Sequence, residues 1–346
     1  MKTVRLLTAV IFAIGVSCGP ADFDPQSKID SVRILASRAD KPYAKPGDTV
    51  RLEVLSVDGR ADTKRPMQLY WIPFVCENPK NDAYYGCFAL PTQSDGGADA
   101  APAGGARGSA NPGLGLLRPG LDLTPFLTTG PSFDFQMPLD AITTHPHVNG
   151  VDEQYGLAIV FNVACAGHLE VVETDPAAGL QQVPIGCFDD DRNRVDPSEY
   201  VIGFTRAYAY ASRTNANPVV ASVTFEGRPV NLAKGIKVDR CTTAKRSECP
   251  EVSIDVSTTD ASWEENPGDK DPDGNIRHEQ LWATYFASVG ELGGNARLLY
   301  DPVRGKIDRS EIKYQAPNEA GDGTLWIVVH DNRGGTTWVL VPLHVR

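Results

Sequence analysis

Gln68-Leu-Tyr-Trp71-Ile-Pro-Phe74 and Gln280-Leu-Trp282-Ala-Thr-Tyr-Phe286 decide the fold of this chain. Each is a short run of apolar and aromatic residues between polar, turn-forming ones, the pattern of a buried or half-buried β-strand. Two further pairs follow in the same order: Phe133-Asp-Phe135-Gln136-Met-Pro138 with Ile312-Lys-Tyr314-Gln315-Ala-Pro317, and Leu157-Ala-Ile-Val-Phe161 with Leu325-Trp-Ile-Val-Val329. Three matches in one order predict a tandem of two related β units. Working outward, strands are expected at 31–36, 49–56, 67–76, 133–137, 156–165 and 200–211. In the second half they are expected at 219–225, 252–257, 280–288, 311–315, 324–330 and 336–345. The 32 Gly and 26 Pro punctuate these runs, and no window sustains a helical period. The chain reads as all-β.

Order and content resemble bacterial immunoglobulin-like domains: a Gly47-Asp-Thr-Val50 strand, a Trp-bearing third strand (Trp71, Trp282), then late paired strands. Trp326-Ile-Val-Val-His-Asp331-Asn-Arg-Gly334-Gly335 is similar to the PKD-type variant, in which a strand ends in Asp and turns through glycines. The resemblance implies two immunoglobulin-like β-sandwiches, over 29–213 and 214–346. Residues 91–120, dominated by Gly, Ala, Ser and Asp, break the pattern and are expected to form a flexible insertion in the first sandwich.

The N-terminus gives an address. Met1-Lys-Thr-Val-Arg5 precedes an uncharged apolar run from Leu6 to Val16, too short to span a ~30 Å bilayer core and laid out as a Sec-type signal peptide over 1–17. Gly15-Val16-Ser17-Cys18 resembles the lipobox of bacterial lipoproteins, although Gly15 stands where that motif prefers Leu or Val. The resemblance implies cleavage before Cys18, its diacylation and palmitate-type anchoring in the cell envelope. Gly19 in place of Asp implies the outer membrane. Residues 18–28 would be the lipidated Cys and a tether; the ten residues from Gly19 reach at most ~35 Å.

Seven cysteines leave one unpaired in an oxidising compartment, and acylating Cys18 removes the odd one. The other six fall into sequence-local pairs, Cys76 with Cys87, Cys165 with Cys187 and Cys241 with Cys249; nearest-neighbour pairing is the favoured one of the 15 connectivities that six cysteines allow. Their spacing lacks any C-x2-4-C pair and so disfavours zinc.

Net charge is −11, without a basic run, so nucleic acid is not an expected partner and attraction to an anionic membrane is not expected either. Asp269-Lys-Asp271-Pro-Asp273-Gly274-Asn275-Ile276 carries oxygen ligands at alternate positions and resembles the first eight positions of an EF-hand loop. Its candidate calcium ligands are Asp269, Asp271, Asp273, Asn275 and Glu279. Glu279 stands one place early for bidentate closure. The alternative is a solvated acidic turn, which is also the preferred reading of Asp189-Asp-Asp191-Arg-Asn193. His145-Pro-His147 offers two imidazoles with only Asp152 nearby. Trp263, Trp282, Trp326 and Trp338, with Tyr285 and Tyr314, could stack sugars or pack cores, and strand alternation favours the core for Trp282 and Trp326. Nucleophile, phosphate-loop and dinucleotide motifs are absent from the sequence.

The expected function is therefore a lipid-anchored, non-catalytic binding, adhesion or scaffolding module whose partners are the membrane and an envelope protein or glycan. The alternatives are an envelope-polymer hydrolase with an unrecognised carboxylate site and a calcium-dependent carbohydrate or protein binder.

Overall fold

The computed structural model describes residues 25–88, 118–151, 153–173, 183–243 and 245–346. The signal peptide, Cys18, most of the tether and most of the 91–120 insertion lie outside them. The first half holds β1 (Val32–Ala39), β2 (Tyr43–Ala44), β3 (Thr49–Asp58), β4 (Gln68–Glu77), β5 (Thr128–Thr129), β6 (Ser132–Gln136), β7 (Gly156–Cys165), β8 (His168–Val171), β9 (Ile185–Phe188) and β10 (Tyr200–Ala209). The second holds β11 (Val220–Phe225), β12 (Arg228–Pro229), β13 (Ile236–Val238), β14 (Glu251–Thr258), β15 (Glu265–Lys270), β16 (Ile276–His278), β17 (Leu281–Ala287), β18 (Glu291–Leu292), β19 (Ala296–Asp301), β20 (Gly305–Lys306), β21 (Ile312–Gln315), β22 (Gly321–Asp331) and β23 (Thr336–Val345). The one α-helix described is a single turn, α1 (Ala141–Thr144).

Sheets β1-β3-β6 and β2-β10-β7-β4-β5 make the first sandwich; β12-β11-β14-β21-β18 and β13-β23-β22-β17-β19-β20 make the second. In both, a short strand (β2 or β13) pairs in parallel with the last strand (β10 or β23) while its predecessor joins the opposite sheet. The shared plan is that of an immunoglobulin-like sandwich. The fold is all-β, two such sandwiches in tandem.

The repeats differ in phase where the sequence does not show it. Leu69 and Trp71 face the first core, as Leu281 and Ala283 face the second, so Trp282 occupies the outward position of Tyr70 and is not the counterpart of Trp71. Trp71 is fully buried, stacks on Phe133 at 5.6 Å and donates Nε1–H to the Gly130 carbonyl at 2.9 Å. The third match slips by one residue: Leu325 points into the second core, whereas Leu157 points out of the first and Ala158 points in. With a period of two, a one-residue slip moves a whole strand to the other face.

All ten residues of β7 are buried, which explains its unbroken apolar run. One face packs in the sandwich core. The other is covered by the β8–β9 hairpin and a helical turn, Tyr84–Phe88. Disulfides Cys76–Cys87 and Cys165–Cys187 fasten that cover to β4 and β7, and Cys241–Cys249 closes a loop before β14. Such staples typically stabilise by about 2 to 4 kcal/mol each.

The sandwiches meet through outer faces. Leu35, Leu55 and Val57 of the first enclose Phe286 and Trp326 of the second, with Ile29 completing the cluster. Trp326 is 6% exposed and belongs to this junction, not to the second core. Arg38 lies 4.2 Å over the Trp338 ring and donates to Thr337 Oγ1, while Asn217 Nδ2 donates to the Ala39 carbonyl at 2.8 Å. Residues 27–29 also reach the second sandwich: Ala287 N donates to Ser27 O and Ile29 N to Ala287 O, around a parallel bridge between Lys28 and Ala287.

Candidate functional site

The acidic loop does not assemble the five candidate calcium ligands. Among the described residues no group of three or more His, Cys, Asp or Glu is placed to hold a metal ion. Asp271 Oδ1 instead accepts the backbone N–H of Asp273 and Asn275, at 2.9 and 2.8 Å, and Oδ2 accepts from the Asn275 amide. Asp269 pairs with Arg277. These contacts close the β15–β16 turn and hold the Asp271 carboxyl below its usual range. Glu279 is fully buried and bonded to Arg333, so it cannot close the loop. Asp189 forms a comparable turn by accepting from Asp191 N and Asn193 N, with Arg65 at 3.5 Å.

The histidine pair also separates. His147 is exposed, whereas His145 Nε2 lies 2.8 Å from Asp82 Oδ1 and its Nδ1 lies 2.8 Å from the Pro146 carbonyl. The tryptophans share no platform: Trp282 stacks on His330 at 5.3 Å, Trp263 on Tyr300 at 4.8 Å, Trp338 is capped by Arg38, and Trp326 is at the junction. Tyr285 and Tyr314 are fully buried in the second core.

A different site emerges where the sandwiches meet. An open cleft of about 450 Å³ is lined by Ser37, Arg38 and Ala39 of β1, Tyr43 of β2, Tyr155, Phe204, Thr205, Arg206, Tyr208 and Tyr210, and the Asn332-Arg333-Gly334 turn of the second sandwich. Four tyrosines converge: the Tyr43 ring lies 4.5 Å from Tyr210 and 6.1 Å from Tyr208, and Tyr155 lies 5.8 Å from each of the latter two. Their source is local. Phe204, Arg206, Tyr208 and Tyr210 recur at every second residue, so β10 and the residue that follows it present them on one face. That alternation was the available signal; sequence reading alone could not set it opposite the turn after β22.

Both walls are held by buried polar contacts. On one side Asn78, Asn81 and Asp82 have positive φ (45°, 58° and 54°), a conformation that side chains normally avoid. Asn78 fixes this segment by donating to the Ala141 carbonyl and Thr144 Oγ1 and by accepting Leu157 N. Tyr155 then donates its hydroxyl to Asp82 Oδ2 at 2.6 Å. Burial, that hydrogen bond and the Asp82 charge hold the Tyr155 phenol well above its usual pKa, so it remains a donor. On the other side Asp331 Oδ1 accepts the N–H groups of Arg333 and Gly335, shaping the turn. Arg333 donates Nε–H to Glu279 at 2.6 Å and Nη2–H to Glu264 at 2.5 Å, and its guanidinium lies 5.7 Å from the Tyr43 ring. Burial raises the Glu279 carboxyl to about 7, opposed by Arg333.

The three arginines of the cleft differ. Arg38 pairs with Glu53, and Arg333 with Glu279 and Glu264. Arg206 is exposed, lies 4.9 Å over the Phe204 ring and reaches only the Asp82 backbone carbonyl, with no carboxylate partner among the described residues. An adjoining hollow of about 620 Å³, sharing Arg333, carries Glu153, Glu264 and Lys270. No described helix is long and apolar enough to cross a membrane.

No family model matches the chain, and no curated protein matches it at a significant level. Among solved structures it is similar to the D00-D0 domain of intimin, at 7% identity and TM-score 0.20 over 89% of this chain and 99% of that one. It is likewise similar to the fibronectin(III)-like modules of Clostridium thermocellum CbhA, at 8% identity and TM-score 0.22 over 90% and 94%. The extracellular domain of the one-component system BT4673 from B. thetaiotaomicron matches at 10% identity and TM-score 0.21, over 54% of this chain and 24% of that one.

Proposed function

We propose that this chain is an exported, lipid-anchored binding module of the cell envelope, with two sandwiches acting as a rigid pair that presents the tyrosine cleft to a partner. The observation that carries the reading is the cleft itself: residues of both sandwiches build it, and the Trp326 cluster and the Arg38 contacts fix their relative position. Binding in place of hydrolysis is supported by the state of Glu279, a carboxylate that burial displaces upward, which is sealed from solvent and locked to Arg333. The signal-peptide layout and Cys18 support attachment to the outer membrane.

Membrane fractionation of the wild type and of Cys18→Ala, with mass measurement of the mature N-terminus, tests the anchor. A diacylated Cys18 and release of the variant are expected. Attachment of Cys18→Ala equal to that of wild type overturns the anchor.

A further inference from the structure

Resting on that reading, we infer that the interdomain cleft binds the carboxylate-bearing sugar of an acidic glycan, with Arg206 receiving the carboxylate and the tyrosines receiving the ring. Arg206 is the one cation of the cleft without a carboxylate partner among the described residues, and its guanidinium can donate two parallel hydrogen bonds to a planar carboxylate. The neighbouring Tyr208, Tyr155 and Tyr43 offer flat apolar faces with polar edges, suited to stacking against the C–H face of a pyranose.

Electrostatics narrows the ligand further. A chain with a net charge of −11 repels dense polyanions at long range. A single acidic sugar within a mostly neutral glycan meets only the local cation. The Asp82 segment, held by Asn78 and fixed by Tyr155, gives the wall a shape set before the ligand arrives.

The test is calorimetric titration of the detergent-extracted protein with a trisaccharide ending in glucuronate, beside the same trisaccharide ending in glucose. Preference for the acid by about tenfold or more is expected, with Arg206→Ala reducing acid affinity to that of the neutral sugar and Arg206→Lys falling between. Arg206 is exposed, so an unchanged melting temperature of Arg206→Ala verifies its fold. Equal affinity for both sugars, affinity for neither, or acid affinity unaffected by Arg206→Ala overturns the inference. A parallel capture of envelope material separates the two claims. Capture retained by Arg206→Ala leaves the binding module standing and removes the acidic-sugar site, whereas no capture by wild type removes the module itself.

Discussion

Arg333 Nε lies 2.6 Å from Glu279 Oε2 beneath the cleft wall, where Glu279 has no exposed surface at all. Removing the guanidinium strands a buried carboxylate, so Arg333→Met is expected to destabilise by about 3 to 5 kcal/mol. Arg333→Met combined with Glu279→Met should recover most of the loss, because both desolvated charges then disappear. Denaturant unfolding of the single and double variants measures this. A double variant no more stable than Arg333→Met would refute the buried-charge explanation.

His330 supplies a pH dependence with a definite sign. Burial lowers its imidazole from 6.5 to about 4, so the folded state binds fewer protons than the unfolded state in that interval. Its stabilisation is complete above pH 6.5 and is lost as pH falls toward 4, by up to about 3 kcal/mol. Glu279 works in the opposite sense, since its raised carboxyl contributes most below pH 4.5 and loses that contribution as pH rises to 7. The difference between wild type and His330→Gln isolates the histidine, whose nitrogens face the hydroxyls of Thr284 and Thr336. A stability difference that does not change between pH 7 and pH 4.5 contradicts the assignment.

Trp326→Ala is expected to cost about 3 to 5 kcal/mol by emptying the junction. Because Trp326 lies between the sandwiches, the loss should also divide unfolding into two calorimetric transitions and increase the radius of gyration in solution scattering. A single sharp transition of unchanged size would place the tryptophan's contribution elsewhere.

Replacing Cys165 and Cys187 together by Ser removes the staple that holds β9 across the end of β7. For a loop of 22 residues the expected loss is about 3 kcal/mol. Hydrogen exchange should quicken in β8 and β9 before it quickens in β3 or β6, since those two pair within the opposite sheet. Uniform quickening in all four strands would argue against a separable cover.

Strands that obey one local rule were legible in the sequence. β7 and β23 have the bounds their apolar runs predict, with Gly167 just beyond the first and Gly334-Gly335 just before the second. Face assignment was less accessible. Nothing local tells Trp282 from Trp71, and the difference arises because Leu281, Ala283 and Tyr285 already occupy the inward positions. Long-range cover was less legible still: β8 and β9 are only four residues each, and their apolar side chains are buried by β7, a strand that read as an ordinary core strand. The acidic loop misled for a related reason. Asp271 and Asn275 satisfy each other across a turn, while Glu279 is claimed by an arginine 54 residues later. The cleft combines β10 with a turn more than a hundred residues away, a juxtaposition created by the junction and invisible to any window of sequence.

The backbone bonds between residues 27–29 and Ala287 have a mechanical consequence. Tension applied to the leading end reaches the second sandwich at β17 as well as the first at β1. Because the bridge at Lys28 is parallel, a pull along the leading segment loads its two flanking hydrogen bonds in shear. The second sandwich therefore bears force from the outset, and drag on any cargo held in the cleft is shared by both halves of the molecule.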